Sequence, residues 1–192
     1  MSERNELLAE IEREFSSRVV HQLKTPLALM HGYAATLLER DLSEEQRRWF
    51  LDVIRRQAAS LATMLDRLED LRRLHEAEDG RGSLRAAVST AAGELAEGGP
   101  LELRSRDVPE TDVPVPARWL ARALVAAATA FPEATDEPRS LEVSLEGEVL
   151  ALVGSTAPRE RSIGFYVAGR ILERFGGSLE AEGARVSLRL PT

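Results

Sequence analysis

The sequence predicts an α+β fold: a long helical hairpin followed by a small α/β sandwich. Three observations carry that prediction. Apolar residues recur at helical spacing between Glu6 and Arg40. A second seam, Phe50, Ile54, Gln57, Leu61, Met64, Leu68, Leu71 and His75, alternates gaps of four and three without a slip, which is a heptad pattern. Beyond a polar, glycine-rich break the pattern changes to short alternating segments interleaved with helical ones. The chain therefore divides into a hairpin at 1–76, a linker at 77–82 and a sandwich at 83–192.

In the first arm the helical stripe is Leu8, Ile11, Phe15, Val19, Leu23, Met30, Ala34 and Leu37. Asp41 to Glu45 reads as the turn. Ser43 is the natural N-cap of the second arm, and Gln46 stands three residues on, as in a capping box. Two such arms cannot cover their apolar stripes alone. Two hairpins pairing into a four-helix bundle can, so the pattern predicts a homodimer. Glu76 to Gly82 is the break. Ser83 then caps a helix to about Glu97, ended by Gly98-Gly99-Pro100. Leu101 to Ser105 reads as a strand and Pro116 to Phe131 as a helix. Leu141–Leu145 and Val149–Val153 form a hairpin around Gly147. A helix over Ile163–Phe175, stopped by Gly176-Gly177, leads to a last strand at Arg185–Leu190. Helices on one face of a mixed sheet make a sandwich. No internal repeat is present.

Composition narrows the function classes. Net charge is −7 and the isoelectric point is near 5.2, which argues against a nucleic-acid partner. There is no cysteine, so disulfides and thiolate metal sites are excluded and a reducing cytoplasm suits the chain. The N-terminus is charged and offers no signal peptide. The apolar stretch Ala117 to Phe131 carries Arg118 and Arg122 and is too short to span a bilayer, so no membrane insertion is expected.

The most informative residues are His21-Gln22-Leu23-Lys24-Thr25-Pro26-Leu27. At ~100° per residue, Phe15, Val19, Leu23, Met30 and Leu37 fall on one stripe and His21 lies opposite it. Ser17, Lys24, Thr25, Ala28, Gly32 and Ala35 share that outer face, and most are small, so a partner's helix could lie beside the histidine. Pro26 cannot complete its helical hydrogen bond and should bend the helix just past His21. Imidazole can carry a phosphoryl group as a labile phosphoramidate.

The run Phe15 to Leu38 resembles the phosphoacceptor box of sensor histidine kinases. Ile163 to Gly177 is similar to that family's last glycine box and the helix after it, and the likeness extends from Phe15 to Pro191. It implies that His21 is the phosphoacceptor. Lys24 reads equally as a solvated charge or as a contact to phosphoryl oxygens, and Thr25 as a polar helix residue that also stands where the family can orient a water for dephosphorylating a partner. Ser17, Gln22, Ala28 and Gly32 would meet that partner, a response-regulator receiver domain. His31 and His75 read as structural, and Gly164, Gly176 and Gly177 as turn and packing residues.

Two departures separate the chain from a working autokinase. The helix matching the family's magnesium-binding asparagine reads Ala126-Ala127-Ala128-Thr129-Ala130, with no carboxylate or amide. The box that reads adenine aligns with Ser155-Thr156-Ala157-Pro158-Arg159 and lacks its aspartate and glycines. Only residues 159–163 then precede Gly164, too few for a phosphate lid. Losing metal ligands and adenine contacts together removes several kcal/mol of binding. In the histidine box, Gln22 stands where the family has an acidic base, and an amide cannot take the ring proton. The resemblance thus implies a kinase-derived histidine phosphotransferase, like those of the sporulation and cell-cycle relays. It binds no cofactor or metal of its own, Mg2+ coming with the receiver. The alternatives are a pseudokinase module that regulates a receiver or kinase without carrying phosphate, as a binder or as a phosphatase, and a kinase with an altered ATP site.

Overall fold

A computed structural model describes the backbone of residues 2–98, 101–132 and 139–191, and the side chains of all these but 2–15, 18, 98 and 139. The chain forms two compact units, Met1–Asp66 and Arg67–Thr192.

The first unit is an antiparallel pair of helix arms. Helix α1 spans Ser2–Glu39 and runs unbroken through Pro26. Helix α2 begins at Glu44 and continues to Leu74, so its last turns belong to the second unit. The reciprocal capping box forms. Ser43 N–H donates to Gln46 Oε1 at 3.0 Å, and Gln46 N–H donates to Ser43 Oγ at 3.2 Å. Glu44 and Glu45 in the first turn, and Arg72 and Arg73 in the last, complement the helix dipole. An aromatic trio closes the turn end of the hairpin. Tyr33 meets Phe50 at 5.3 Å and Trp49 at 5.7 Å between ring centroids, and Trp49 meets Phe50 edge-on at 5.1 Å.

The heptad seam is only half covered within one chain. Phe50, Ile54, Leu61 and Met64 are half-buried, whereas Leu51 and Leu65 on the flank of α2 are exposed. On α1, Val20, Leu27 and Leu38 are exposed as well, Leu38 to 88%. The seam ends at Leu71: His75 lies in the turn past α2 and is exposed, so it does not extend the stripe as the heptad count suggested. The apolar positions Leu8, Ile11 and Phe15 lie outside the described side chains.

In the second unit the sheet order is β2-β4-β5-β7-β6. These strands span Leu101–Arg106 (β2), Arg139–Glu146 (β4), Val149–Val153 (β5), Ser178–Glu182 (β6) and Arg185–Arg189 (β7). Strand β2 pairs parallel with β4; the other pairs are antiparallel. Two two-residue strands, β1 (Gly82–Ser83) and β3 (Asp112–Val113), pair separately. Helices α3 (Leu84–Gly98), α4 (Ala117–Ala128) and α5 (Ile163–Arg174) pack together and against the sheet. Ser83 caps α3, its Oγ accepting from Ala86 N–H at 3.2 Å. The stop read at Gly98-Gly99-Pro100 falls outside the described residues beyond Gly98. Gly147 and Gly183 take positive φ, 63° and 58°, at the first position of the two-residue turns joining β4 to β5 and β6 to β7. Helix α5 ends as its glycines require. Gly176 sits at φ 86°, and Gly177 N–H donates back to the Leu172 carbonyl at 2.9 Å.

The core lies between the helices and one face of the sheet. Leu120, Leu124, Val143, Leu150, Leu152, Ile171, Leu172 and Leu188 are fully buried there. Trp119, at the start of α4, is buried beside Arg118, whose guanidinium lies 5.5 Å from the ring centroid. On the opposite face Arg185 of β7 reaches across β5 to grip Glu146 of β4 with both terminal nitrogens, at 3.1 and 2.8 Å. The register places Ala151 between them, and Ala151 is fully buried. The end of α2 and the linker are fastened into this unit. Leu74 and Ala77 are buried. Arg174 donates to Asp79 at 2.8 Å and to the Ala77 carbonyl at 2.6 Å, and Arg81 donates to the Asp112 carbonyl at 2.7 Å. No helix among the described residues is long and apolar enough to cross a membrane.

Candidate functional site

On α1, His21 is exposed. The helix places residues three, four and seven positions away on the same face. Lys24 and Thr25 follow His21 by one turn and Ala28 by two; Ser17 precedes it by one, and Gly32 lies one further turn beyond Ala28. All five are exposed. At Gly32 a methyl group would meet nothing within 4 Å, so the backbone surface there is open. Gln22 is half-buried and does not share the open face fully. The structure thus gathers His21, Lys24, Thr25, Ser17, Ala28 and Gly32 on one accessible strip, and sets Gln22 at its margin.

The Thr25 hydroxyl donates to the His21 carbonyl at 3.2 Å. Its proton is therefore engaged in the helix. This bond ties the turn carrying His21 to the residue before Pro26, and helical geometry persists past the proline. Lys24 supplies a positive charge on the turn adjoining the histidine. His31 is exposed and lies ten positions further along α1, too far along the helix to share a substrate atom with His21.

A second place singled out by sequence lies in the sandwich, where α4 ends and α5 begins. Ala126, Ala127, Ala128 and Ala130 are all buried. The Thr129 hydroxyl donates to the Ala126 carbonyl at 2.8 Å and accepts from the guanidinium of Arg67. Gly164, in the first turn of α5, presses into this corner. A methyl group on it would fall 2.5 Å from the Ala126 carbonyl oxygen and 2.8 Å from Thr129 Oγ1, with the Arg67 guanidinium also in contact. The corner is filled by the chain's own atoms. The loop before α5 is drawn in tightly: Arg159 N–H donates to the Ala130 carbonyl at 2.7 Å. Ser162 caps α5 by accepting from Phe165 N–H at 3.1 Å. Among the described residues, this donor set does not fit a magnesium nucleotide. The α4 face offers methyl groups and one hydroxyl already engaged twice, and Ser155–Arg159 offers no carboxylate.

Arg67 is the residue that sequence reasoning missed here. It is the buried charged residue of the described chain, 7% exposed, and it stands in α2 amid a run of solvated arginines and acids. Nothing in its spacing separates it from Arg72 or Arg73, which are exposed and paired with Glu69. Only the packing of α4 and α5 picks it out.

Residues 11–77 match the His Kinase A (phospho-acceptor) domain. Among solved structures, a histidine kinase of Acinetobacter baumannii, AdeS, superposes with a TM-score of 0.53 at 14% identity, covering 90% of this chain and 98% of that one. A histidine kinase from Burkholderia phymatum covers 90% of this chain and 97% of its own at 15% identity, with a TM-score of 0.44. The ATP-binding domain of PrrB from Mycobacterium tuberculosis covers 60% of this chain and 98% of its own at 21% identity and a TM-score of 0.47. The likeness in fold rests on the first of these. No curated protein matches the sequence.

Proposed function

For a chain whose hairpin is of the histidine-kinase phosphoacceptor type and whose sandwich has the fold of a kinase ATP-binding domain, we propose a histidine phosphotransferase that works without ATP. It relays a phosphoryl group between the aspartates of two response-regulator receiver domains. It acts as a homodimer in the cytoplasm. An imidazole nitrogen of His21 attacks the phosphorus of a receiver's acyl phosphate. The N–P bond forms as the bond to the aspartate oxygen breaks, the carboxylate leaves, and the ring proton passes to solvent. The reverse sequence delivers the group to a second receiver. Mg2+ is supplied by the receiver's own acidic cluster. This chain contributes alignment and a positive charge from Lys24, which is most of what phosphoryl transfer asks of a protein.

The observation that carries this reading is one contrast within the chain. His21 is accessible on an open strip of small residues, while the corner where a kinase would hold magnesium nucleotide is packed with alanine methyls and Arg67. Gln22 fits the same division: attack on an acyl phosphate needs no general base beside the histidine.

The test is transfer itself. The protein is incubated with a phosphorylated receiver domain, and acid-labile, base-stable label is sought on it. The expected result is label on the unmodified chain and none on His21→Ala, with Gln22→Ala close to normal. A receiver that binds without passing label would replace this reading with a regulatory binding module. Faster loss of receiver phosphate that depends on Thr25 and not on His21 would replace it with a phosphatase.

A further inference from the structure

Among the described residues, strand β6 is an edge of the sheet with no strand paired on its outer side. The two-residue turn Gly183-Ala184 makes Glu182 and Arg185 the closing pair of the β6–β7 hairpin. In such a hairpin the closing pair is hydrogen-bonded and pairs then alternate, so Glu182, Glu180 and Ser178 direct their backbone groups to β7. Leu179 and Ala181 direct theirs outward, to the unoccupied side.

A groove of about 430 Å³ follows this edge, lined by Glu160, Phe165, Leu179, Glu180, Ala181, Glu182 and Ser187. Phe165, Leu179 and Ala181 supply an apolar step on the side of α5. The facing side is acidic. Glu160 and Glu180 hold no ion pair among the described residues, and the arginine nearest Glu182, Arg185, is gripped by Glu146. Elsewhere on the same sheet face carboxylates are neutralised: Glu102 holds Arg104 at 2.8 Å, Glu142 holds Arg106 at 3.3 Å, and Glu146 holds Arg185 at 2.8 Å. Glu160 and Glu180 thus bring negative charge that no described ion pair neutralises to a strand with unused backbone donors and acceptors, while Glu182 shares the field of Arg185 across the strand pair.

We propose that the β6 edge is a docking site for an extended basic peptide segment, which adds to the sheet as a sixth strand. The peptide's backbone pairs with Leu179 and Ala181. Its apolar residues alternate onto Phe165, Leu179 and Ala181, and its lysines or arginines lie over Glu180 and Glu182. The carboxylates that attract such a segment repel an acidic one, so the edge is selective while remaining guarded against chains of this protein's own sign. The site is separate from the chemistry of His21 and stands whether or not that residue carries phosphate.

The probe is a fluorescein-labelled synthetic peptide of alternating lysine and valine, titrated into the full-length protein by fluorescence anisotropy. It is compared with a glutamate–valine peptide and with a lysine–proline peptide of equal charge that cannot form a strand. Saturable binding of the lysine–valine peptide is expected. The lysine–proline peptide should bind at least about tenfold more weakly and the glutamate–valine peptide not at all. The amides of Leu179 and Ala181 should gain hydrogen-exchange protection on binding. Glu180→Lys with Glu182→Lys, both exposed and remote from the core, should keep the fold and reverse the preference between the lysine and glutamate peptides. Absence of binding, equal binding of the proline peptide, affinity unmoved by the charge reversal, or unprotected Leu179 and Ala181 amides would each overturn the proposal.

Discussion

His21 and Gly164 illustrate opposite ways in which a single residue can matter. The histidine touches little in its own chain, so His21→Ala should change stability by no more than about 0.5 kcal/mol, as exposed sites do. A melting curve superposable on the unmodified protein's would show that the lost label reports chemistry and not unfolding. Gly164 is the reverse. Its backbone lies against the Ala126 carbonyl, which cannot swing aside as a flexible side chain could. Gly164→Ala should therefore cost about 1–3 kcal/mol by overpacking, read as a lowered midpoint in urea. Ser43 lies between these extremes: Ser43→Ala removes the hydroxyl that accepts from Gln46 N–H, while the backbone N–H at 43 keeps its bond to Gln46 Oε1, and should cost about 1 kcal/mol. The capping residue was legible in sequence because its partner stands at a fixed local offset. Arg67 was not, because its partner Thr129 is distant along the chain.

At the scale of elements, the sheet holds a pH-sensitive clasp. The Arg185 guanidinium bonded to Glu146 holds that carboxyl below its ordinary range, against the opposing effect of burial. A depressed folded-state value means stabilisation that is complete above the ordinary carboxylate range and lost as pH falls toward the folded value. Glu146→Gln should thus destabilise the sandwich at neutral pH, and the gap from the unmodified protein should narrow on acidification and in high salt. Urea titrations at several pH values would show it; a gap independent of pH would mean the pair contributes by packing alone. The helices, the β4–β5 hairpin and the last strand were readable because their periods and turn residues are strong. Strand β6 was not: Ser178-Leu179-Glu180-Ala181-Glu182 alternates correctly, yet Ala and Glu are weak strand formers and glycines precede it. Its pairing with β7 makes it a strand. The same holds for β1 and β3, which are too short to carry a pattern of their own.

For the whole molecule, the half-covered seam on α2 and the exposed Val20, Leu27, Leu51 and Leu65 predict a dimer. Light scattering should give about twice the 21.2 kDa chain mass, and Leu61→Glu with Met64→Glu should give monomers or insoluble protein. A well-folded monomer of the unmodified chain would refute the four-helix bundle. The strip around His21 was legible in sequence because every member sits on one helix, where spacing alone fixes direction. The packed corner of the sandwich was legible only as missing ligands, since what fills it comes from three separate segments. The two tryptophans have a practical consequence. Trp49 is 52% exposed in the first unit, and Trp119 is 5% exposed in the second. Their emission spectra should differ, red-shifted for the wet indole and blue-shifted for the dry one, and iodide should quench the first selectively. With Trp49→Phe and Trp119→Phe proteins in hand, each unit carries a private optical signal, and whether a docking partner perturbs the hairpin, the sandwich or both becomes a question of colour.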